Sequence, residues 1–156
     1  MKKVLFISSC GGHLTEMLKL DNMFDDYDYH IITEKNKSTL YLKDKYGKKL
    51  NYMAYGTKDH MLSYPFKLIY NTFKSLFLYF KIRPKYIVTT GAHTGGIMSL
   101  IGKIFGSKVI FIETFASISQ KSITGRLVYK FADLFIVQHE SMLNFYPKAV
   151  YGGWIF

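Results

Sequence analysis

The sequence predicts an α/β protein of the Rossmann-like, doubly wound type with a mostly parallel sheet. Short, near-continuous apolar runs recur along the chain, the pattern of strands buried on both faces. Segments of helical periodicity separate them, the alternation that builds βαβ units. Two of the runs end in glycine-rich turns that open a helical segment, Ser8-Ser9-Cys10-Gly11-Gly12-His13 and Thr89-Thr90-Gly91-Ala92-His93-Thr94-Gly95-Gly96. At 156 residues the chain is long enough to bury one core, and no linker, repeat or low-complexity tract divides it. Residues 1–156 are therefore read as one domain.

The expected strands are 3–8, 29–33, 51–55 (the weakest), 86–90, 108–112 and 134–138, each a short apolar run. The expected helices are 12–24, 62–82, 95–105 and 123–131, with a short one at 140–145. The run Val4-Leu5-Phe6-Ile7 follows Lys2-Lys3 and precedes Cys10, so it superficially resembles a signal peptide. It falls short of the roughly 7–15 apolar residues such a segment needs and reads as a buried first strand. No run reaches the ~18–20 apolar residues of a membrane span, so any membrane contact is expected to be peripheral. The tail Tyr151-Gly152-Gly153-Trp154-Ile155-Phe156 is apolar and is expected to be pinned, in cis or in trans.

Hydrophobic residues make up 49% and charged residues 21% of the chain, which excludes a disordered protein. With 13 Tyr, 13 Phe and 1 Trp, the aromatics exceed what so small a core absorbs, so some are expected to face a partner or a lipid surface. The net charge of +10 favours a polyanionic neighbour. The single cysteine, Cys10, excludes an intramolecular disulfide and fits a reducing, cytoplasmic location.

The glycine-rich turns carry the chemistry. Glycine lets the backbone approach a ligand, and a helix start offers unpaired N–H groups and a positive dipole end. In a doubly wound sheet the first and fourth strands are neighbours, so Ser9, Gly11 and Gly12 of one turn and Gly91, His93, Thr94 and Gly95 of the other are expected to line one anion-binding crevice. The alternative is a pair of tight turns with no ligand. Glu34 ends the second strand 22 residues beyond Gly12, roughly where a dinucleotide fold keeps its ribose-binding acid, but the turn lacks G-x-G-x-x-G and an NAD site is disfavoured. No set of residues has metal-ligand spacing, so no metal is expected, and there is no G-x-S-x-G elbow. His13, His93 and Glu113 are the candidate proton-transfer groups. For Glu113 a helix cap or salt bridge is the competing role; for the histidines it is a backbone hydrogen bond.

From His60 to Ile112 there is no Asp or Glu but seven Lys/Arg. Within this stretch Phe66, Ile69, Tyr70, Phe73, Leu76, Phe77 and Phe80 recur at helical spacing, with Lys67, Asn71, Lys74, Ser75 and Lys81 expected on the opposite face. Such a helix reads as a membrane-surface binder docking through Phe66, Lys67, Phe73, Lys74, Phe77 and Lys81. The alternative is a core helix with solvated lysines. Each basic residue near an anionic leaflet adds about 1 kcal/mol. The aromatics are not interleaved with the lysines, so no nucleic-acid stacking platform is expected.

Ser9-Cys10-Gly11-Gly12-His13-Leu14-Thr15-Glu16, Thr33-Glu34-Lys35-Asn36, Thr90-Gly91-Ala92, Phe111 to Ala116, Ser122 to Tyr129 and Tyr151-Gly152-Gly153 together span nearly the whole chain. In these motifs the chain resembles the acceptor-side, membrane-associated subunits of two-component bacterial polysaccharide glycosyltransferases (the CpsF/PssD type). Those are related to the eukaryotic subunit that recruits the catalytic half of the dolichol-pathway N-acetylglucosaminyltransferase. The resemblance implies the fold of the N-terminal half of a GT-B glycosyltransferase of the MurG type. It implies a companion subunit resembling the C-terminal half and carrying most of the UDP-sugar site, with the UDP-sugar as co-substrate and no tightly bound cofactor. It also implies a polyprenyl-diphosphate-linked sugar acceptor and peripheral attachment to the cytoplasmic face of the plasma membrane, in capsular or exopolysaccharide synthesis. On it, Gly11-Gly12-His13 would hold the acceptor diphosphate and His13 would position or deprotonate the acceptor hydroxyl. Glu113 would act as base or sugar ligand, and Glu34, Asn36 and Arg126 would stand at the cleft rim. Cys10 stands where the family often has Ser or Gly. The family often carries a further N-terminal membrane anchor, and with strand one at the start of this sequence the helix over 65–83 is expected to be the membrane contact. The alternative within the same resemblance is a non-catalytic scaffold that recruits an independently competent partner.

Overall fold

The computed structural model describes residues 1–56 and 64–155. Seven strands form one all-parallel sheet: β1 (Lys3–Ser8), β2 (Asp28–Lys35), β3 (Leu50–Ala54), β4 (Tyr86–Gly91), β5 (Lys108–Ile112), β6 (Leu134–Val137) and β7 (Val150–Tyr151). Their order is β3-β2-β1-β4-β5-β6-β7. β1 pairs β2 on one side and β4 on the other, so the chain reverses direction across the sheet between them, at the switch point where open α/β folds place ligands. The helices are α1 (Gly12–Leu18), α2 (Leu42–Tyr46), α3 (Tyr64–Ile82), α4 (His93–Ile104) and α5 (Ile123–Val128).

The period of two along β1 divides the core. Leu5 and Ile7 point to the side of α3 and α4 and pack with Leu78, Tyr79, Met98 and Ile101. Val4 and Phe6 point to the side of α1 and pack with Leu14, Met17 and Phe24. A third cluster joins Phe111, Phe135 and Val137 to Val128 and Tyr146 beneath α5.

Several boundaries differ from those expected. The helix expected at 12–24 ends at Leu18, and Asp21–Asp26 forms a 3-10 helix instead. Its Asp and Asn side chains compete for backbone groups and favour tight turns. α2 and the two-residue β7 were not anticipated, being too short for periodicity to register. The segment expected as a short helix at 140–145 is a 3-10 helix, Glu140–Asn144. The first two positions of the helix expected at 62–82 lie outside the described residues, as does Phe156.

Two differences bear on function. Sequence periodicity puts Lys67, Lys74 and Lys81 with Asn71 and Ser75 on the face of α3 opposite the aromatic stripe, but of these only Asn71 and Ser75 turn inward. Both are buried, while Phe66, Phe73 and Phe77 are 75%, 70% and 66% exposed. The cause is local. The Asn71 carboxamide accepts from the Ala54 N–H (2.9 Å) and donates to the Ala54 carbonyl (2.8 Å), capping the open end of β3 and fixing which side of α3 turns inward. The aromatic stripe therefore faces outward, and Lys67, Lys74 and Lys81 each follow one of its phenylalanines at seven-residue intervals.

The sheet was also expected to be covered on both faces. On the α1 side, however, α1 packs against β1 and β4 but leaves part of β4 to β6 open. Tyr86, Val88, Ile110, Ile112, Leu134 and Ile136 floor an apolar trough of about 450 Å³ there, and Ile155 of the tail lies in it.

Candidate functional site

The two glycine-rich turns meet at the carboxyl edge of the sheet. The Ser9 N–H donates to the Gly91 carbonyl (2.9 Å), and the Thr90 hydroxyl donates to the His13 carbonyl (2.7 Å). Gly11 precedes α1 at φ +86° and Gly91 ends β4 at φ +101°, conformations that only glycine adopts cheaply. Gly91 is constrained a second way, because the His13 imidazole lies 3.3 Å from where a Cβ would stand. Gly11 and Gly12 are exposed, and His13, His93 and Asn36 are partly exposed, so these five form the mouth of the crevice.

The other expected residues of the two turns lie deeper. Ser9 and Thr94 are buried and face each other (Oγ to Oγ1, 3.4 Å). Gly95 is buried against β4, where a Cβ would collide with the Thr89 hydroxyl, so it serves close helix–sheet packing. Asn36 caps the turn Lys37–Thr39. Arg126 is exposed on α5, between Ile123 and Lys130 on one side and Lys121 and Phe145 on the other.

Glu34, expected at the rim, is 1% exposed and stands between the turns. It lies within β2, opposite Met53 of β3, rather than beyond the strand end. Its carboxylate accepts from the Thr94 hydroxyl (2.9 Å), the Cys10 thiol (3.2 Å) and the Cys10 N–H (3.4 Å), and it stands 3.3 Å from His93 Nε2. Burial works to raise its pKa, but the hydrogen bonds from His93, Cys10 and Thr94 outweigh it and hold the carboxyl below its usual range. A fixed internal anion thus occupies the base of the crevice. An anionic ligand is left with the outer amides of α1, whose first N–H groups have no intrahelical acceptor.

The same carboxylate controls Cys10. Burial and then the neighbouring Glu34 push the thiol up to about 12. We expect iodoacetamide to leave Cys10 unmodified near neutral pH in the folded protein, and Glu34→Gln to accelerate the reaction. Rapid alkylation of the wild-type protein would contradict this geometry.

Glu113, at the end of β5, is also 1% exposed. It accepts from Tyr146 OH (2.9 Å), the Ser122 hydroxyl (3.1 Å) and the Thr114 N–H (3.1 Å). Ser122 in turn caps α5 by accepting from the Gly125 N–H (2.9 Å). The carboxylate therefore ties the end of β5 to α5 and to the 3-10 turn preceding Tyr146.

Glu16 was not singled out from the sequence except within a motif. One turn after His13 on α1, it accepts from the Thr114 hydroxyl (2.8 Å) and the Phe115 N–H (3.0 Å). Its i+3 spacing from His13 was the available signal, since residues so spaced share a helix face. Phe115 packs against Trp154 of the tail (centroids 5.1 Å apart), so α1, the end of β5 and the C-terminal segment form one wall.

Residues 4–155 match the family model described as oligosaccharide biosynthesis protein Alg14 like. The chain belongs to the Alg14-like family. It is 25% identical to the human UDP-N-acetylglucosamine transferase subunit ALG14 over 176 residues, covering 96% of this chain and 81% of that protein. It is 27% identical to the Schizosaccharomyces pombe subunit over 175 residues, covering 97% and 82%. Among solved structures, Acinetobacter baumannii MurG superposes with a TM-score of 0.72 at 14% identity, over 90% of this chain and 43% of that one. The UDP-N-acetylglucosamine 2-epimerase of Rickettsia bellii superposes with a TM-score of 0.71 at 13% identity, over 94% and 41%. This Alg14-like chain thus has the fold of one half of those larger enzymes and spans less than half of their length.

Proposed function

We propose that the chain is the acceptor-side, membrane-docking subunit of a two-component UDP-N-acetylglucosamine transferase. In this reading a companion subunit carries most of the UDP-sugar site, and the acceptor is a polyprenyl-diphosphate-linked sugar at the cytoplasmic face of the membrane. The product would feed bacterial capsular or exopolysaccharide synthesis. The observation that carries the reading is the outward-turned aromatic stripe of α3, flanked by lysines. Leu100, Ile104 and Phe105 in and just beyond α4, and Ile123 and Leu127 of α5, are exposed as well, extending the apolar face. No helix among the described residues is long and apolar enough to cross a membrane, so docking in this reading is interfacial. The relatives named as UDP-N-acetylglucosamine transferase subunits support the donor.

Transfer requires removal of a proton from the acceptor hydroxyl and stabilisation of the leaving diphosphate. We assign the first to the crevice mouth. His13 is partly exposed at the mouth, where its imidazole would meet an acceptor hydroxyl or phosphate oxygen; its Nδ1 is buried beside Gly91 and has no hydrogen-bond partner among the described residues. Gly11, Gly12 and His93 would hold the acceptor diphosphate, with the Glu34 carboxylate 3.3 Å from His93 Nε2 orienting the ring. The deep Ser9, Gly91, Thr94 and Gly95 would shape the turns. Glu113 would hold the crevice wall in place through α5, with Asn36 and Arg126 flanking the entrance. The uncovered trough on β4 to β6, beside the tail, is our candidate seat for the companion. The burial of Glu113 favours a second reading, in which this chain only recruits a companion that supplies all the chemistry.

Acceptor binding separates the two. Vesicles carrying polyprenyl diphosphate N-acetylglucosamine should retain the protein more strongly than vesicles carrying polyprenyl monophosphate. His13→Ala should erase that difference without affecting docking to plain anionic vesicles. Equal retention of the wild type by both would contradict an acceptor site on this chain.

A further inference from the structure

A second pocket lies outside the crevice, where the ends of β2 and β3 meet α3. Its volume is about 320 Å³, and Lys35, Tyr52, Tyr55, Tyr70 and Lys74 line it. Its walls are fixed. Tyr52 OH donates to the Thr39 carbonyl (2.6 Å), and the Asn71–Ala54 pairing locks α3 against the end of β3. The Lys74 ammonium donates to Tyr70 OH (3.2 Å) and lies 5.3 Å from the centre of its ring. Among the described residues, neither Lys35 nor Lys74 is paired with a carboxylate.

We propose that this pocket binds the phosphate headgroup of an anionic membrane lipid. Two ammonium groups supply point charges for phosphate, and tyrosine hydroxyls supply further donors. Its depth suits that ligand. Tyr70 belongs both to the exposed stripe of α3 and to the pocket wall, so immersing Phe66, Phe73 and Phe77 brings the pocket to headgroup level, where tyrosines accumulate. This last step rests on the docking reading above. The pocket would convert general attraction into a specific grip and fix how the molecule sits on the bilayer, and with it the height of the crevice.

The test uses the full chain and a charge-matched control. Lys37 lies two residues from Lys35, is exposed and does not line the pocket. On vesicles of phosphatidylcholine with phosphatidylglycerol, Lys35→Ala and Tyr55→Phe should each weaken binding about five-fold or more, and Lys37→Ala less than about two-fold. Equal losses for Lys35→Ala and Lys37→Ala would overturn the site in favour of diffuse attraction. In solution, glycerol phosphate should shift the amide resonances of Lys35 and Ala54, inorganic phosphate should do so more weakly, and Lys35→Ala should abolish both effects. Absence of any shift would also overturn the site. Shifts with glycerol phosphate but no vesicle binding by the wild type would uphold a phosphate site, remove the lipid as its ligand and refute the docking reading.

Discussion

Changing Phe66, Phe73 and Phe77 together to serine is expected to release the protein from anionic vesicles while leaving its folding stability almost unchanged. Fully burying one phenylalanine is worth about 1.5–3 kcal/mol. Even partial immersion of three amounts to roughly 4–5 kcal/mol, about a thousand-fold in binding. The same residues contribute little to folding, because all three are about two-thirds or more solvent-exposed in the isolated chain. Exposed substitutions of this kind usually stay within about 0.5 kcal/mol. Charge reversal at Lys67, Lys74 and Lys81 should weaken docking too, and that loss should shrink as salt rises. The phenylalanine effect should be nearly independent of salt. Co-sedimentation and denaturant unfolding on the same samples read both quantities. A large loss of stability with vesicle binding intact would mean that the stripe belongs to the core.

Gly125→Ala is expected to be among the most destabilising single changes in the molecule. A Cβ there would collide with the Glu113 carboxylate and stand 2.7 Å from both the Ser122 and Tyr146 hydroxyl oxygens. Overpacking alone costs about 1–3 kcal/mol, and loosened hydrogen bonds to a buried charge add about 1.5–3 kcal/mol. A loss of about 3 kcal/mol or more would lower Tm by roughly 6–12 °C. Tyr146→Phe, which removes one donor to Glu113 and adds no bulk, should cost about 1.5–3 kcal/mol. Glu113→Gln then separates architecture from chemistry. It should lower Tm while the reconstituted pair keeps its turnover. A collapse of turnover with Tm unchanged would make Glu113 the proton acceptor. A wild-type Tm for Gly125→Ala would contradict the packing described around it.

Sequence pattern made six of the strands, the adjacency of β1 and β4 and both glycine-rich turns legible, because parallel strands and strand-to-helix turns leave local signatures. β1 and β5 fall where their apolar runs predict them. The pattern missed what depends on long-range pairing. The inward face of α3 is set by Asn71 closing on Ala54, 17 residues away in sequence, and no local periodicity encodes that bond. A helix with apolar residues on its outside and Asn and Ser within inverts the usual rule, and it does so here at the face assigned to the bilayer. Glu34 was misplaced because β2 runs on to Lys35 and carries the carboxylate into the sheet. Glu113 was recognised as a carboxylate at a strand end, but its partners Ser122 and Tyr146 lie 9 and 33 residues downstream and come together only in the fold. The trough on β4 to β6 was equally invisible, since an apolar strand reads the same whether its cover comes from its own chain or from a partner.

In the proposed function this chain brings a membrane-bound acceptor to a companion carrying the donor. The most direct measurement is sugar transfer from UDP-N-acetylglucosamine to a polyprenyl-diphosphate-linked acceptor by the reconstituted pair. The acceptor is supplied either in vesicles or as a short-chain, water-soluble analogue. Product should form only when both subunits are present. The Phe66, Phe73 and Phe77 to serine variant should lose turnover on vesicles but keep it on the soluble analogue. Full activity of the companion alone, or full activity of that variant on vesicles, would contradict the account.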